Sequence, residues 1–326
     1  MKGLDLAKLQ AFLDSPPLTA TMFAGGRSNL TYAVTDGVNR WVLRRPPLGH
    51  VLPTAHDMVR EHRVLAALSE AGFPVPKPVL LCTETEVIGA PFYLMEHVDG
   101  KIYREAAELE QIDLHALTLT LVDTLADLHS LDPVAIGLGD FGRPEGFNER
   151  QVRRWKKQLD ASRSRELAGI EELHARLAVD IPAGGPGAVV HGDFRLDNVL
   201  IGSDLTVNSV LDWEMSTLGD PLSDVALMLV YAGRPLLFRD GEPVAPIDLP
   251  GHPSLDEMAA RYAERSKRDV GDLHWYVGFA AFKLAVILEG VHYRYTKGQT
   301  VGPGFDTIGA MVPVLIEQGH RALEGH

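Results

Sequence analysis

The residues best suited to chemistry lie in two short segments near the middle of the chain. Residues 191–198 read His-Gly-Asp-Phe-Arg-Leu-Asp-Asn, and residues 211–214 read Leu-Asp-Trp-Glu. Phosphoryl transfer from ATP needs a carboxylate that accepts the proton of the attacking hydroxyl, and an amide and a carboxylate that hold Mg²⁺ against the phosphates. Asp193, Asn198 and Asp212 supply these groups in that order. The pattern therefore indicates phosphoryl transfer to a hydroxyl group.

These three polar residues lie beside short apolar runs that predict β-strands. Ala188–Val190 precedes Asp193, and Val207–Leu211 precedes Asp212. The third run, Asn198–Ile201, begins at Asn198 itself. Mg²⁺ keeps several coordination sites for water and phosphate, so one amide and one carboxylate from the protein suit it. Asp and Asn are also common in turns, and each residue alone would be uninformative. The combined spacing is what predicts the site.

Composition and charge narrow the class of protein. The 326 residues, 45% hydrophobic and 23% charged, are typical of a globular protein with two domains or two lobes. A single cysteine, Cys82, excludes an internal disulfide framework and favours a reducing, cytoplasmic setting. The start of the chain lacks the apolar core of a signal peptide. The longest apolar stretch, Val277–Val291, contains Lys283 and Glu289 and is shorter than the ~20 residues of a membrane span, so we expect a buried helix and no membrane partner.

The net charge of −13 is unevenly distributed. Residues 1–98 contain nine basic and nine acidic side chains, whereas residues 99–326 contain 22 basic and 35 acidic ones. No basic stripe is present, and we therefore expect no nucleic-acid partner. The acidic second part could attract a cationic substrate, or it could serve solubility alone. The sequence leaves the oligomeric state open.

The first quarter of the chain predicts strands around one helix. Leu30–Thr35 and Arg40–Arg44 form a hairpin across Asp36-Gly37, and Pro91–Glu96 is a further strand. Val59–Ala71 predicts a helix, because its apolar residues share one face and Gly72 ends the pattern.

Helical patterns dominate the rest of the chain. The predicted helices are Leu114–Leu131, Val152–Arg176, Leu222–Tyr231, Leu255–Lys267, Leu273–Tyr295 and Phe305–Leu323. We expect two lobes, residues 1–98 and 99–326, with a ligand-binding cleft between them.

These motifs resemble the aminoglycoside phosphotransferase family of the protein-kinase-like superfamily. The resemblance covers His-Gly-Asp-x4-Asn, the Asp-Trp-Glu strand end, the Asp-Pro-Leu-x-Asp of residues 220–224, a glycine-containing loop at 25–32 and the strand at 41–47. It implies an α+β, bilobal protein-kinase-like fold with a small β-rich N-lobe and a larger, mainly helical C-lobe. It also implies a small-molecule kinase that uses ATP and Mg²⁺, with Asp193 as the catalytic base and Asn198 and Asp212 as metal ligands.

Three further segments, Val42–Pro47, Val51–His56 and Arg154-Trp155, resemble a subgroup that is fused to acyl-CoA dehydrogenases in some organisms. This resemblance favours a hydroxy acid or a hydroxyacyl thioester as the small-molecule hydroxyl acceptor, and Lys283, Arg294 and Lys297 as contacts to an anionic one. The family name instead suggests an aminoglycoside. A nucleotide-binding pseudokinase without transfer activity is a third alternative.

The resemblance also implies how the nucleotide is bound. Ser28 and Asn29 belong to the nucleotide loop, although Gly25-Gly26 is equally an ordinary turn. The cation on the following strand is usually Lys, and here it is Arg44, with Glu61 as its partner. Arg45 takes this role if the register differs by one, since alternate strand residues point to opposite faces.

Three other segments have separate interpretations. Backbone groups of Glu96 and Val98 would bond adenine, as the resemblance implies. Asp140-Phe141-Gly142 spells the magnesium motif of protein kinases, but it precedes the Asp193 segment and is predicted to be a surface turn. Asp220 is predicted to cap a helix, and Asp224 to support the loop that carries Asp193.

Overall fold

The structure is a computed structural model that describes residues 3–23, 29–48, 56–239, 242–299 and 305–325. The chain divides into two compact units. The first comprises residues 1–102, 134–139 and 196–216, and the second comprises residues 103–133, 140–195 and 217–326. The predicted boundary at residue 98 lies close to the first break, whereas the return of residues 196–216 to the first unit has no counterpart in the prediction.

Strands and helices follow one another along the described residues. The strands are β1 Thr19–Met22, β2 Leu30–Thr35, β3 Arg40–Arg45, β4 Pro78–Cys82, β5 Phe92–Glu96, β6 Ala188–Val190, β7 Val199–Ile201, β8 Val207–Val210, β9 Thr217–Gly219, β10 Leu237–Arg239 and β11 Glu242–Val244. The helices are α1 Leu6–Leu13, α2 Met58–Glu70, α3 Thr85–Ile88, α4 Ala106–Leu109, α5 Leu114–Ser130, α6 Phe147–Ser162, α7 Ile170–Val179, α8 Leu222–Ala232, α9 Leu255–Ser266, α10 Leu273–Thr296 and α11 Ile308–Ala322. The α+β class is confirmed.

The first unit is built on an antiparallel sheet with strand order β1-β2-β3-β5-β4. The β2–β3 hairpin turns at Asp36, whose carboxylate accepts hydrogen bonds from the N–H groups of Val38 and Asn39 at 2.9 and 2.6 Å. Such side-chain bonds favour a tight turn. Tyr32, Leu43 and Phe92 from three strands are fully buried in a common apolar cluster, which holds β3 at the centre of the sheet.

Helix α2 begins at an N-cap, Asp57, whose side chain accepts the N–H of Arg60. Its buried face contains Val64, Leu65 and Leu68, and also the carboxylate of Glu61. The buried apolar side chains recur at helical spacing, which explains why the sequence pattern predicts this helix within one residue at each end.

Strands β7 and β8 belong to the first unit although they lie a hundred residues beyond its sheet. Ile201 and Lys101 exchange two backbone hydrogen bonds of 2.9 Å each, and the N–H of Val210 donates to the carbonyl of Pro74 at 2.8 Å. The indole of Trp213 packs edge-on against Phe73, with ring centroids 6.0 Å apart. These contacts tie the segment that carries Asn198 and Asp212 to the first unit.

The second unit is mainly helical, with α10 at its centre. Helix α10 contacts α6, α7, α8 and α11. By length and composition α10 could cross a membrane, and 67% of its most apolar window is buried inside the fold. Strands β6 and β9 pair antiparallel, with Val189 opposite Leu218.

Two of the predictions are wrong in part. Val152–Arg176 is two helices, α6 and α7, because Ser164 leaves the helical path and donates its N–H and hydroxyl to Glu289 at 3.1 and 2.6 Å. Asp140-Phe141-Gly142 lies at a turn where Asp140 is exposed, as predicted, but the Phe141 ring points inward and Phe141 is 1% exposed. A Cβ atom added at Gly142 would lie 2.5 Å from the backbone nitrogen of Leu218.

Replacing Glu289 by alanine should destabilise the second unit. The Glu289 side chain is fully buried and pairs with Arg165 at 3.1 Å in addition to Ser164. Removing one partner of a buried ion pair leaves the other group without compensation, and we expect a loss of about 3 kcal/mol in the free energy of unfolding. Urea unfolding measures this.

Glu317→Ala is the matched control, because Glu317 pairs with Arg321 on a helix surface where both side chains are 66% exposed. Its free energy of unfolding should change by no more than about 0.5 kcal/mol. Equal losses in the two variants would contradict the anchoring role of Glu289.

Candidate functional site

The loop after β6 is held by one carboxylate. Asp224, 1% exposed in the first turn of α8, accepts hydrogen bonds from the N–H groups of His191 and Gly192 at 2.6 and 2.8 Å. Burial alone would raise the pKa of Asp224, but the hydrogen bonds from His129 and Gly192 hold it below its ordinary value. The predicted support of the loop by Asp224 is present. The prediction of Asp220 as the N-cap of α8 is wrong, because Pro221 is the N-cap and Asp220, one residue earlier, accepts the N–H of Leu222 at 3.1 Å.

Asp193 follows this anchored turn and is half-buried. Its N–H donates to Nδ1 of His191 at 3.2 Å, and its Oδ1 accepts the hydroxyl proton of Tyr231 at 2.6 Å. The sequence analysis missed Tyr231. Asp224 and Tyr231 are seven residues apart on α8 and therefore share one helix face, which is the signal that could have identified it.

Positive charge surrounds this part of the second unit. The guanidinium groups of Arg195 and Arg234 lie over the Tyr231 ring, at 5.4 and 6.0 Å from its centroid. The ammonium of Lys283 lies 5.7 Å from the ring centroid of Trp155. Burial lowers the pKa of Lys283, although the carboxylates of Asp224 and Asp193 act in the opposite direction. An anionic ligand would suit this part of the unit.

In the first unit, Asn198 and Asp212 are brought together by strand pairing. The N–H of Leu211 donates to the carbonyl of Asn198 at 2.8 Å, at the end of the β7–β8 pair. Asp212 follows immediately with φ 65° and ψ 66°, a left-handed conformation that is uncommon for a residue with a Cβ atom. The turn directs its carboxylate to β3.

Arg44 on β3 is shared by two carboxylates. Its Nη2 lies 2.9 Å from Oδ1 of Asp212 and 3.2 Å from Oε1 of Glu61. The side chains of Arg44 and Glu61 are 11% and 2% exposed. The predicted Arg44–Glu61 pair is therefore present. Arg45 points to the other face of the sheet, where its guanidinium donates to the carbonyl of Ile88 at 3.0 Å.

Burial and charge set the protonation of this cluster. Burial would lower the pKa of Arg44, but the carboxylates of Glu61 and Asp212 raise it above its ordinary value, so the guanidinium stays charged. Burial raises the pKa of Glu61 to about 7, against the attraction of Arg44. Arg44 Nε and Glu61 Oε2 are buried and have no hydrogen-bond partner among the described residues, which leaves Arg44 with donor capacity for a ligand.

Asn29 belongs to a second polar cluster in the first unit. Its Nδ2 donates to Glu214 Oε2 at 3.1 Å, and its Oδ1 lies 2.8 Å from Nδ1 of His56. Ser28 lies outside the described residues. Sequence reasoning missed Glu214, two positions after Asp212 in the same motif.

The predicted adenine contacts lie at the end of β5. Glu96 is exposed and Val98 is half-buried. The N–H of Glu96 donates to the carbonyl of Lys77 at 2.9 Å, so a nucleotide contact by Glu96 would use its carbonyl group.

The donor set of Asn198 and Asp212 fits a magnesium ion. Mg²⁺ prefers oxygen ligands and takes few of them from the protein. Asn198 lies just before β7 and Asp212 two residues after β8, and their amide and carboxylate oxygens match that preference. Within the described ranges, no group of three or more His, Cys, Asp or Glu side chains is placed to hold a metal ion.

Solved structures have the same fold. A candidate aminoglycoside phosphotransferase from Ralstonia eutropha JMP134 is 29% identical, with a TM-score of 0.85 and 99% of both chains covered. A thermostable mutant of an aminoglycoside phosphotransferase, in a ternary complex with AMP-PNP and hygromycin B, is 17% identical with a TM-score of 0.64, covering 98% of this chain and 99% of that chain. The fold, an antiparallel five-stranded sheet in one unit and a mainly helical second unit, is therefore the one that these phosphotransferase structures share.

The sequence model of the phosphotransferase enzyme family, APH, matches residues 19–265, and the chain belongs to this family. A curated relative, acyl-CoA dehydrogenase family member 11 of Gallus gallus, is 36% identical over 311 residues, which covers 93% of this chain. The chain spans only 40% of that relative's length. The resemblances stated from the sequence, to the family and to the subgroup, are confirmed.

The Arg44→Met variant tests how far the first unit depends on the shared cation. Without Arg44, the carboxylates of Glu61 and Asp212 face each other uncompensated, and we expect the free energy of unfolding to fall by about 3 kcal/mol. Adding Glu61→Gln should restore part of that loss, since a neutral amide needs no counter-charge. Chemical denaturation of the wild type and of the single and double variants measures the free energy of unfolding. If the losses of the two single variants simply add in the double variant, Arg44 and Glu61 are not coupled.

Proposed function

We propose that this chain transfers the γ-phosphoryl group of ATP, with Mg²⁺, to a hydroxyl group of a small anionic metabolite, in a cytoplasmic setting that suits its buried free Cys82. The observation that carries the proposal is the position of Arg44. Its Nη2 pairs with both Glu61 and Asp212, and its Nε has no hydrogen-bond partner among the described residues. Phosphoryl transfer relies mainly on positioning and charge neutralisation, and a fixed arginine of this kind supplies both.

In the first unit, the proposed roles concern the nucleotide. Arg44 holds phosphate oxygens with its planar fork, and Glu61 fixes the orientation of that fork. Ser28 and Asn29 contact the phosphates, and backbone groups of Glu96 and Val98 contact adenine. Asn198 and Asp212 would hold Mg²⁺, which when bound neutralises phosphate charge.

In the second unit, Asp193 orients the acceptor hydroxyl and accepts its proton. The acceptor oxygen forms its bond to the γ-phosphorus while the bond from that phosphorus to the bridging oxygen of ADP breaks. The proton moves to the Asp193 carboxylate, and the electron pair leaves with ADP. His191 and Asp224 hold the loop in place through the hydrogen bonds described above.

The charges near Asp193 support an anionic acceptor, either a hydroxy acid or a hydroxyacyl thioester. The side chains of Lys283 and Arg234 make no hydrogen bond or ion pair with another side chain in the described part of the chain. Both residues are half-buried, and an anionic substrate group would compensate a partly desolvated cation. Arg294 and Lys297 are exposed at the end of α10, about 16 Å or more along the helix from Lys283, and are weaker candidates. The relative's name is consistent with acyl chemistry.

The Asp193→Asn and Asp212→Asn variants separate the two proposed roles. Loss of the base should lower kcat by roughly 100- to 10,000-fold with little change in KM for Mg²⁺-ATP. Loss of the metal ligand should instead raise the Mg²⁺ concentration for half-maximal rate by roughly 10- to 100-fold. Steady-state kinetics at varied ATP and Mg²⁺ measure both.

Asp204→Asn is the matched control, since Asp204 is an exposed turn residue of the same 196–216 segment. Its kinetics should equal those of the wild type. Ordinary turnover in Asp193→Asn would show that the base lies elsewhere.

An acceptor panel with matched charges tests the substrate class. Hydroxybutyrates and their CoA thioesters should be phosphorylated, and the methyl esters of the acids and hygromycin B much less so. Lys283→Met should raise KM for the free acids by roughly tenfold or more and leave the esters unaffected, whereas Lys157→Met, an exposed control on α6, should change neither.

Preferential turnover of hygromycin B would establish an aminoglycoside phosphotransferase instead. Binding of Mg²⁺-ATP, seen as a higher melting temperature, without ATP consumption on any compound would establish a pseudokinase.

A further inference from the structure

Tyr231 makes a short hydrogen bond to the side chain that is proposed as the base. Its hydroxyl donates to Oδ1 of Asp193 at 2.6 Å, and its side chain is 9% exposed. A hydrogen bond to a carboxylate is stronger than one between neutral groups and fixes the acceptor in its plane. The contact therefore restricts rotation of the Asp193 carboxylate.

The hydroxyl of Tyr231 remains a donor. Burial raises its pKa, and the negative charge of Asp193 raises it further. Tyr231 thus keeps its proton at neutral pH, and it does not compete with Asp193 as a base. Its contribution is orientation.

The tyrosine ring itself is held in place. The guanidinium groups of Arg195 and Arg234 lie over it at 5.4 and 6.0 Å from the centroid, in the range of cation–π attraction. A tyrosine side chain has only two torsions to immobilise, so a ring fixed in this way makes a rigid support.

Helix α8 connects this support to the loop. Asp224 in its first turn binds the backbone N–H groups of His191 and Gly192, and Tyr231, two turns later, binds the side chain of Asp193. Two points on one rigid helix, about 10 Å apart along its axis, therefore fix both the backbone and the carboxylate of the same short segment.

We propose that Tyr231 is a positioning residue for phosphoryl transfer, which holds the Asp193 carboxylate in the orientation that accepts the acceptor's hydroxyl proton. This inference rests on the proposed role of Asp193 as the base. The proton of Tyr231 stays on Tyr231 throughout the step, and the proton of the acceptor hydroxyl moves to Asp193.

The Tyr231→Phe variant tests the proposal, because it keeps the ring between the guanidinium groups and deletes only the hydroxyl. With Mg²⁺-ATP and the hydroxybutyrate that the wild type turns over fastest, kcat should fall by roughly 10- to 100-fold. KM for Mg²⁺-ATP should stay within about twofold, since nucleotide contacts are unchanged. A merely structural role would not separate kcat from KM in this way.

A double-mutant cycle tests whether Tyr231 acts through Asp193. If Tyr231 acts only by orienting that carboxylate, Tyr231→Phe should cost nothing further in the Asp193→Asn background. A full additional loss there would show that Tyr231 acts independently of Asp193 and would overturn the proposal.

Tyr276→Phe is the matched control. Tyr276 is also buried, at 2% exposure, and its hydroxyl donates to another carboxylate of the second unit, Asp220, at 2.5 Å. This variant should show a comparable change in melting temperature but a wild-type kcat, which separates lost stability from lost positioning. An equal fall in kcat in both variants would overturn the proposal.

The inference and the proposed function fail in different ways. A wild-type chain that consumes no Mg²⁺-ATP with any acceptor overturns both. An active wild type with an unchanged kcat in Tyr231→Phe overturns only the positioning role.

Discussion

Arg44 is the charge on which the first unit depends. A single guanidinium group on the central strand of the sheet compensates the buried carboxylate of Glu61 on α2 and the half-buried carboxylate of Asp212, two residues after β8. The sheet, the helix and the returning hairpin therefore share one electrostatic partner, although they are far apart in sequence. Because burial raises the pKa of Glu61 to about 7, the cluster keeps a carboxyl group that exchanges protons near neutrality. An arginine in place of the usual lysine suits this arrangement, since its fork has several donors in one plane.

Rigidity in the second unit comes from a different source. Asp193, the proposed base, lies on a loop, and loops are ordinarily the more mobile parts of a fold. Here the loop is bonded to a buried helix through both its backbone and a side chain. Three cations, Arg195, Arg234 and Lys283, lie against aromatic rings in this unit, although residues 99–326 carry 22 basic and 35 acidic side chains. The proposal of an anionic acceptor therefore rests on local charge and not on the net charge of residues 99–326.

Local patterns predicted much of this structure. Strands β2, β3 and β5 and helix α2 follow from apolar periodicity, and strand alternation distinguishes Arg44 from Arg45 once the pairing is known. The break between α6 and α7 was not predictable, because Glu289, 125 positions from Ser164, imposes it. Tyr231 lies 38 positions from Asp193, and only its position seven residues after Asp224 on α8 could have pointed to it. The roles assigned to Asp193, Asn198 and Asp212 remain predictions, which rest on their spacing and on the family resemblance.

The discontinuous first unit has a consequence for synthesis on the ribosome. Its sheet strands are complete by residue 96, yet Asp212, which shares Arg44, belongs to a segment that ends at residue 216. At about 5–20 residues per second, the nascent chain waits roughly 6 to 23 seconds between residue 102 and residue 216. During that interval the Arg44–Glu61 pair lacks the Asp212 carboxylate, and Phe73 lacks the indole of Trp213 that later packs against it. A chaperone that shields this surface during elongation would therefore improve the yield of folded protein more than one that acts after release.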